Sequence, residues 1–266
     1  METPFAIRYH NIKLRVERLY KSTELKTEKE KRSLRLEDVS FTLKGGECIH
    51  LYPSVVHGLL LDAVVGHTRI DAGAIWIDHQ GQWLNLPQLS PRQMRQIQAR
   101  TIGYMGSSEA LRSMPTVIDC VQSRLLELDF SHSQATSHSR HVLDWVGLPR
   151  SLWHKAPADL PLVKLHQVNL ARTFAVDYSV VVIDLPMDHF DPDNQKRLQQ
   201  LIEYRKAQNS CFIGCFDQVE LRQNVCDRNL SIPIPTPIPR DKSRDQPAPT
   251  GPSTGVTVGS TVVHSY

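Results

Sequence analysis

The sequence has no hydrophobic run approaching the roughly 18 apolar residues needed to span a bilayer, so no segment reads as a membrane-crossing helix. Its start, METPFAIRYHNIKLR, lacks the basic-then-apolar order of a secretory leader. Cysteine is scarce: five in 266 residues, with no framework spacing. That argues against a disulfide-built secreted domain and for reduced thiols in a cytoplasm. Cys211 and Cys215, four apart in an apolar run, read as buried thiols and not as metal or redox ligands. Charge of one sign is lacking too. A formal net charge of +3 is too small to argue for nucleic acid or an anionic membrane surface. The triplet GK[ST] occurs nowhere in the chain, and no internal repeat is visible.

What is present is an ordinary 40% hydrophobic content, enough for a sizeable core. Residues 13–20 (KLRVERLY) alternate and suggest an edge strand; 22–34 are charged and read as a solvated loop. Residues 35–43 alternate through Leu36, Val39, Phe41 and Leu43, as a half-buried strand does. The stretch GECIHLYPSVVHGLLLDAVVG (46–66) has the layout of strand, phosphate-binding loop and helix. A hairpin follows over 74–86, turning at Gln80-Gly81. Ser90-Pro91 opens a polar helix, with Ser as cap and Pro at the first helical position. Helices are expected over 116–129, 134–146, 159–177, 191–208 and 219–225. Val180–Asp184 reads as a fully buried parallel strand ending in a carboxylate, and 210–216 as another buried strand. The alternation of strands and helices predicts an α/β core with a mostly parallel sheet, an antiparallel β layer beside it, and an inserted helical subdomain. The expected organisation is an extension over 1–11, one domain over 12–228 with a helical insert at about 91–165, and a disordered Pro/Ser/Thr-rich tail over 229–266.

The order of these features resembles the ATP-binding-cassette (ABC) ATPases, a P-loop NTPase fold, over about residues 12–228. Within that family the chain looks most like the ABC-type subunits of the bacterial carbon–phosphorus lyase (phosphonate degradation) system, the PhnL type. DAGAIWIDHQGQWLNL (71–86), LPRSLWHKAP (148–157), VNLARTFAVDYSVVVID (168–184) and NVCDR (224–228) carry that likeness. Lipoprotein-releasing and efflux ABC ATPases share the frame but fewer of these words.

The chemistry implied by the resemblance is largely missing. A phosphate-binding loop GxxxxGK[ST] uses backbone N–H groups, a lysine on the phosphates and a hydroxyl on Mg²⁺. Over Pro53–Leu61 only Gly58 matches, and Leu59, Leu60 and Leu61 stand where Lys-Ser-Thr would. These leucines, with Val55 and Val56, are expected to fill the phosphate position with apolar side chains; His57 reads as neutral. The signature segment falls on Leu160-Pro161-Leu162-Val163-Lys164, without its serine and glycines. Asp184 stands at the Walker B carboxylate, but Leu185 follows where a Glu would orient water. Asp191 matches a dimer-facing loop, with a helix N-cap an equal reading. Ser107, Asp217 and Thr23 occupy the metal-contacting Gln, switch His and adenine-stacking positions, with Tyr20 close to the last.

Gly58, Asp184 and Asp191 are therefore the remnants of a nucleotide site, with no catalytic or metal residue assigned. His132, His138 and His141 read as surface histidines, and Trp83 and Trp153 as packing residues. The expected function is a non-hydrolysing, structural or interaction subunit in phosphonate metabolism; the alternative is an ABC subunit that still binds ATP. No cofactor is expected, and ATP with Mg²⁺ only if residual binding survives. Expected partners are another ABC-type subunit, the phosphonate-lyase complex or a permease, or a second copy in a homodimer, with no nucleic acid and no direct membrane insertion.

Overall fold

The computed structural model describes residues 11–26, 31–52, 56–184 and 190–232. Two sheets divide the strands. The first is antiparallel, in the order β2-β1-β4-β5, with β1 Ile12–Lys26, β2 Lys31–Lys44, β4 Ala72–His79 and β5 Gln82–Asn85. The second is parallel, in the order β6-β7-β8-β3-β9, with β3 Cys48–Leu51, β6 Ile102–Met105, β7 Val180–Ile183, β8 Cys211–Gly214 and β9 Arg228–Leu230.

The parallel strands are apolar on both faces because both faces are covered. Val180 and Val182 join Ile213, Ile49 and Leu51 in a core shared with the antiparallel sheet. Val181, Ile183 and Phe212 face the other way, into a core built with helices. Those helices are α3 Val117–Leu126, α4 His132–Trp145, α5 Leu162–Phe174, α6 Pro192–Ala207 and α7 Val219–Val225. Two more, α1 His57–Val65 and α2 Pro91–Arg100, follow β3 and β5 and contribute to the first core. Among the described residues no helix is long and apolar enough to cross a membrane.

Three expectations change. First, β1 is no edge strand: it lies between β2 and β4. Second, the charged stretch 22–34 is no loop outside 27–30, which lie outside the described residues; Ser22 pairs with Arg35 and Thr23 with Leu34 in a two-stranded ribbon. Charge patterning failed there because a ribbon can solvate both faces while the ladder satisfies its backbone. Third, the domain does not end at 228. β9 pairs with β3 through Asn229 and Leu230, and Ile232 is buried. A three-residue strand before a run of prolines leaves almost no periodic signal. The tail beyond 232 and the extension before 11 lie outside the described residues.

One glycine is dictated by the sheet. β1 shifts register between Glu17 and Tyr20 against β4, and Gly73 lies opposite at φ +97°. A Cβ there would come within 2.2 Å of the Arg18 carbonyl oxygen.

Candidate functional site

The carboxyl ends of β3 and β7 are where an open parallel sheet places ligands. α1 begins above β3. Its N-cap position, Val56, has helical backbone (φ −112°, ψ −4°), offers no side-chain cap, and has no acid in the turn that follows. Leu60 and Leu61 are completely buried in the core between the sheets, and Leu59 is half-buried against it. This corrects the expectation that all three leucines occupy the phosphate position. Helical spacing turns residues 60 and 61 down onto the sheet, leaving residues 57–59 half-buried at the start of the helix. Gly58 has nothing within 4 Å of the point where a Cβ would stand, among the described residues, so no close approach there demands glycine. Residues 53–55 of the expected loop lie outside the described residues.

Asp184 follows β7, its N–H donating to the Met105 carbonyl at 2.9 Å. One of its carboxylate oxygens accepts a hydrogen bond, and an imidazole stands beside the other. The Tyr104 hydroxyl donates to Oδ2 at 3.2 Å, and His57 Nε2 stands 4.0 Å from Oδ1. Burial and the neighbouring Asp184 charge push the Tyr104 phenol well above its usual range, so it remains a donor. The edge of His67 packs on the Tyr104 ring, centroids 4.9 Å apart, and His67 Nδ1 lies 3.5 Å from Asp62 Oδ1. Sequence reasoning missed Tyr104. The contact depends on the sheet: β6 runs parallel to β7 with Tyr104 opposite Val182, which brings a tyrosine beside the strand-end carboxylate. His57, expected beside apolar residues, also has the Asp184 carboxylate 4.0 Å away.

Asp191 is the N-cap of α6. Its Oδ1 accepts the Asn194 N–H at 2.7 Å, and Pro192 occupies the first helical position. Its carboxylate thus does the local work of starting a helix. Leu185 and His189 lie outside the described residues.

The segment at the signature position leads into α5 with Pro161 as an N-cap that makes no side-chain bond. Lys164 Nζ donates to Gln167 at 3.0 Å, along the same helix. Further along α5 a buried polar network pins it to the turn after β6. Ser108 Oγ and His166 Nδ1 are 3.0 Å apart, Asn169 Nδ2 donates to Ser108 Oγ and to the Gly106 carbonyl, and the His166 ring stacks on Phe190 at 4.8 Å. Ser108 and His166 are buried, so this pair offers no accessible nucleophile.

The remaining positions are ordinary. Ser107 caps a short 3-10 turn through the Glu109 N–H. Asp217 accepts from the Cys215 thiol at 3.3 Å. Tyr20 is exposed and Thr23 half-buried at the ribbon. His138 Nε2 donates to the Ala175 carbonyl at 2.9 Å, and Trp153 is buried with its indole N–H on the Leu148 carbonyl. Among the described residues, no group of three or more His, Cys, Asp or Glu is arranged to hold a metal ion.

Comparison with known proteins agrees with this architecture. No protein-family model matches the chain. It is 25% identical over 175 residues to the lipoprotein-releasing system ATP-binding protein LolD of Saccharophagus degradans, covering 65% of this chain and 75% of the relative. It is 27% identical over 189 residues to the sulfate/thiosulfate import ATP-binding protein CysA of Mesostigma viride, 70% of this chain but only 51% of that relative. With the energy-coupling factor transporter ATP-binding protein EcfA2 of Leuconostoc mesenteroides it shares 21% over 187 residues, 70% of this chain and 65% of the relative. Among solved structures, the ATP-binding cassette MJ0796, in a dimeric post-hydrolysis state with ADP and Pi, superposes with a TM-score of 0.72 at 15% identity. That match covers 82% of this chain and 94% of the other. The chain thus has the ABC ATPase cassette fold, and its sequence is similar to ATP-binding subunits of ABC transporters.

Proposed function

We propose that the chain is an ABC-type subunit that has lost phosphoryl-transfer chemistry and acts as a structural or interaction member of an assembly. The observation that carries this reading is the start of α1. The helix that would present a lysine and a hydroxyl to nucleotide phosphates presents Leu59, while Leu60 is committed to the core. The Asp184 carboxylate, which would order a metal, accepts the Tyr104 hydroxyl. The residues present do not fit Mg-ATP. A helix N-terminus attracts anions, but without a cation and a metal-ordering pair the β/γ charge is left uncompensated.

An ABC nucleotide site is composite, with the phosphate loop from one protomer and the signature from the other. In a homodimer of this chain both sites would be defective. In a pair with an active subunit each site would borrow one altered segment, so both would again be defective. The dimeric arrangement of MJ0796 supports pairing of this kind. The setting we propose is phosphonate processing, supported by the stretches at 71–86, 148–157 and 168–184. The partners are then another ABC-type subunit and the lyase complex.

Calorimetric titration of the full chain with Mg-ATP, alone and with each candidate partner, tests the reading. No binding heat and no turnover are expected; turnover abolished by Asp184→Asn would overturn it. The relatives' own designation as ATP-binding proteins favours a second reading, in which ATP still binds, for transport and not for phosphonate chemistry. Binding at 100 times its Kd would stabilise the fold by about 2.7 kcal/mol, which a thermal melt resolves. Co-purification with a permease in place of lyase subunits would move the setting to transport.

A further inference from the structure

Four of the five cysteines are completely or almost completely buried, and three of them spend their thiols on oxygen. Cys120 donates to the Thr116 carbonyl, Cys211 to the Ser179 carbonyl and Cys215 to Asp217. The other two face each other. Cys48 opens β3 and Cys226 closes α7; they are 178 residues apart in sequence, with their Sγ atoms 3.5 Å apart. The backbone enforces the meeting. The Asp227 N–H donates to the Cys48 carbonyl at 2.9 Å, and the Cys48 N–H returns a bond to Asp227 Oδ2 at 2.7 Å. On the other side of Cys226, Lys206 Nζ holds the Val225 carbonyl at 2.9 Å and the same Asp227 carboxylate at 2.6 Å. The residues on both sides of Cys226 are therefore pinned, one to β3 and both to α6. Their exposures differ: Cys48 is sealed in the core and Cys226 reaches the surface.

We propose that Cys48 and Cys226 form an oxidant-sensitive dithiol that a hydroperoxide converts to a reversible disulfide. Cys226 is the entry point because a small oxidant can reach it. Its sulfur attacks one peroxide oxygen, the O–O bond breaks, and the thiol proton leaves with the departing alkoxide as an alcohol, or as water from hydrogen peroxide. Cys226 is then a sulfenic acid. The Cys48 sulfur attacks the Cys226 sulfur, the S–O bond breaks, and the hydroxide leaves with the Cys48 proton as water. Two thiols and one hydroperoxide thus become one disulfide, one alcohol and one water. The sulfurs must close from 3.5 Å to about 2.05 Å. Cys48 is completely buried, so oxidant does not reach it, and its one accessible target is the adjacent Cys226 sulfur; burial also keeps it a thiol, which gives up its proton to the departing hydroxide as it attacks. The product ties β3, the strand that enters α1, to the end of α7, just ahead of β9 at the edge of the parallel sheet.

The test uses the reduced, full-length protein. It is treated with hydrogen peroxide, quenched with N-ethylmaleimide, unfolded, alkylated with a second reagent and digested without reductant. The expected result is one linked peptide pair joining Cys48 to Cys226, with Cys120, Cys211 and Cys215 still alkylatable and both thiols restored by dithiothreitol. In Cys48→Ala the reaction should halt at Cys226 sulfenic acid, seen as a several-fold rise in dimedone labelling over wild type. The proposal is overturned if wild-type Cys226 accumulates as sulfenic or sulfinic acid while Cys48 remains a thiol. It is equally overturned if Cys226 pairs with another cysteine or another chain, or if peroxide leaves both thiols free. The wild-type readout stands whether or not the variant folds.

Discussion

The starts of α2 and α1 are opposites. α2 begins at Ser90 in extended backbone; Ser90 Oγ accepts the Gln93 N–H, Gln93 Oε1 accepts the Ser90 N–H, and Pro91 follows at the first helical position. The helix so carefully started fully buries only Ile97. α1 has no side-chain cap and no acid in its first turn, yet it buries Leu60, Leu61, Ala63, Val64 and Val65. α5, at the signature position, repeats the α1 pattern: Pro161 makes no cap bond, but Leu165, Val168, Leu170 and Phe174 are buried. The short α7 is also without a side-chain cap. One class of helix is started by its neighbours in sequence, the other by the sheet beneath it. Both helices that would meet phosphates in an active cassette belong to the second class. Neither Val56 nor Pro161 caps its helix with a side chain, and buried side chains hold both helices onto the sheet.

The comparison breaks most visibly if α1 is loosened from below. Leu60→Ala removes a completely buried side chain and should cost about 2–5 kcal/mol, read as a lowered urea midpoint at unchanged slope. A loss under 1 kcal/mol would mean the start of α1 is not held by the core. A subtler variant asks whether α1 accepts a local cap at all. Val56→Thr keeps the shape and adds a hydroxyl at the N-cap. The backbone there is helical and not extended, which is the wrong geometry for capping, and the position is buried. The hydroxyl should therefore cost about 1–3 kcal/mol as an unmatched buried group. A gain in stability would show that α1 can be started locally after all.

That division also decides what could be read from the sequence. Ser90-Pro91 announced α2 to the residue because the cap is a local device. Val180–Ile183 and Cys211–Gly214 were legible because strands buried on both faces show continuous apolar runs. The place of β1 inside its sheet was not legible, because pairing partners at β4 lie some distance along the chain and a half-polar strand looks alike at an edge or in the middle. At the candidate site the substitutions themselves were plain, but their orientation was not. Leu59 and Leu60 differ by one residue, yet one is half-buried at the helix start and the other sealed in the core. Nor could Tyr104 be assigned to Asp184, or Cys48 to Cys226, since each contact is made only by the folded sheet.

On the locally started side, Ser90→Ala and Ser131→Ala each remove an N-cap that forms a reciprocal pair with a glutamine three residues on. Each should cost about 1 kcal/mol, and the two losses should add because the caps share no partner. Asp191→Ala belongs with them and should cost a similar amount. That loss should be the same with and without Mg-ATP. A larger loss in the presence of nucleotide would return Asp191 to the ligand site and sharpen the contrast in the other direction.

The smallest expected effect concerns a residue that only the fold holds. His50 on β3 is completely buried, and its Nδ1 accepts the Phe216 N–H at 3.1 Å, which places the proton of the neutral ring on Nε2. Adding a second proton would put a donor against a donor. Burial lowers its pKa below the ordinary value, the nearby Arg222 adds to that, and Asp217 opposes it. The sign follows from which state binds the proton first. Above the unfolded pKa of about 6.5 both states are neutral and the contribution is complete. As pH falls below that value the unfolded chain protonates while the folded one resists, so stability declines until the folded pKa is reached. Urea midpoints at about pH 7.5 and about pH 5.5 should therefore fall with acid in the wild type, a window in which ordinary carboxylates remain ionised. In His50→Gln, measured the same way, the decline should be smaller. Equal slopes in the two proteins would mean the imidazole protonates as readily inside the fold as outside it, and the Phe216 bond would then be too weak to fix the tautomer.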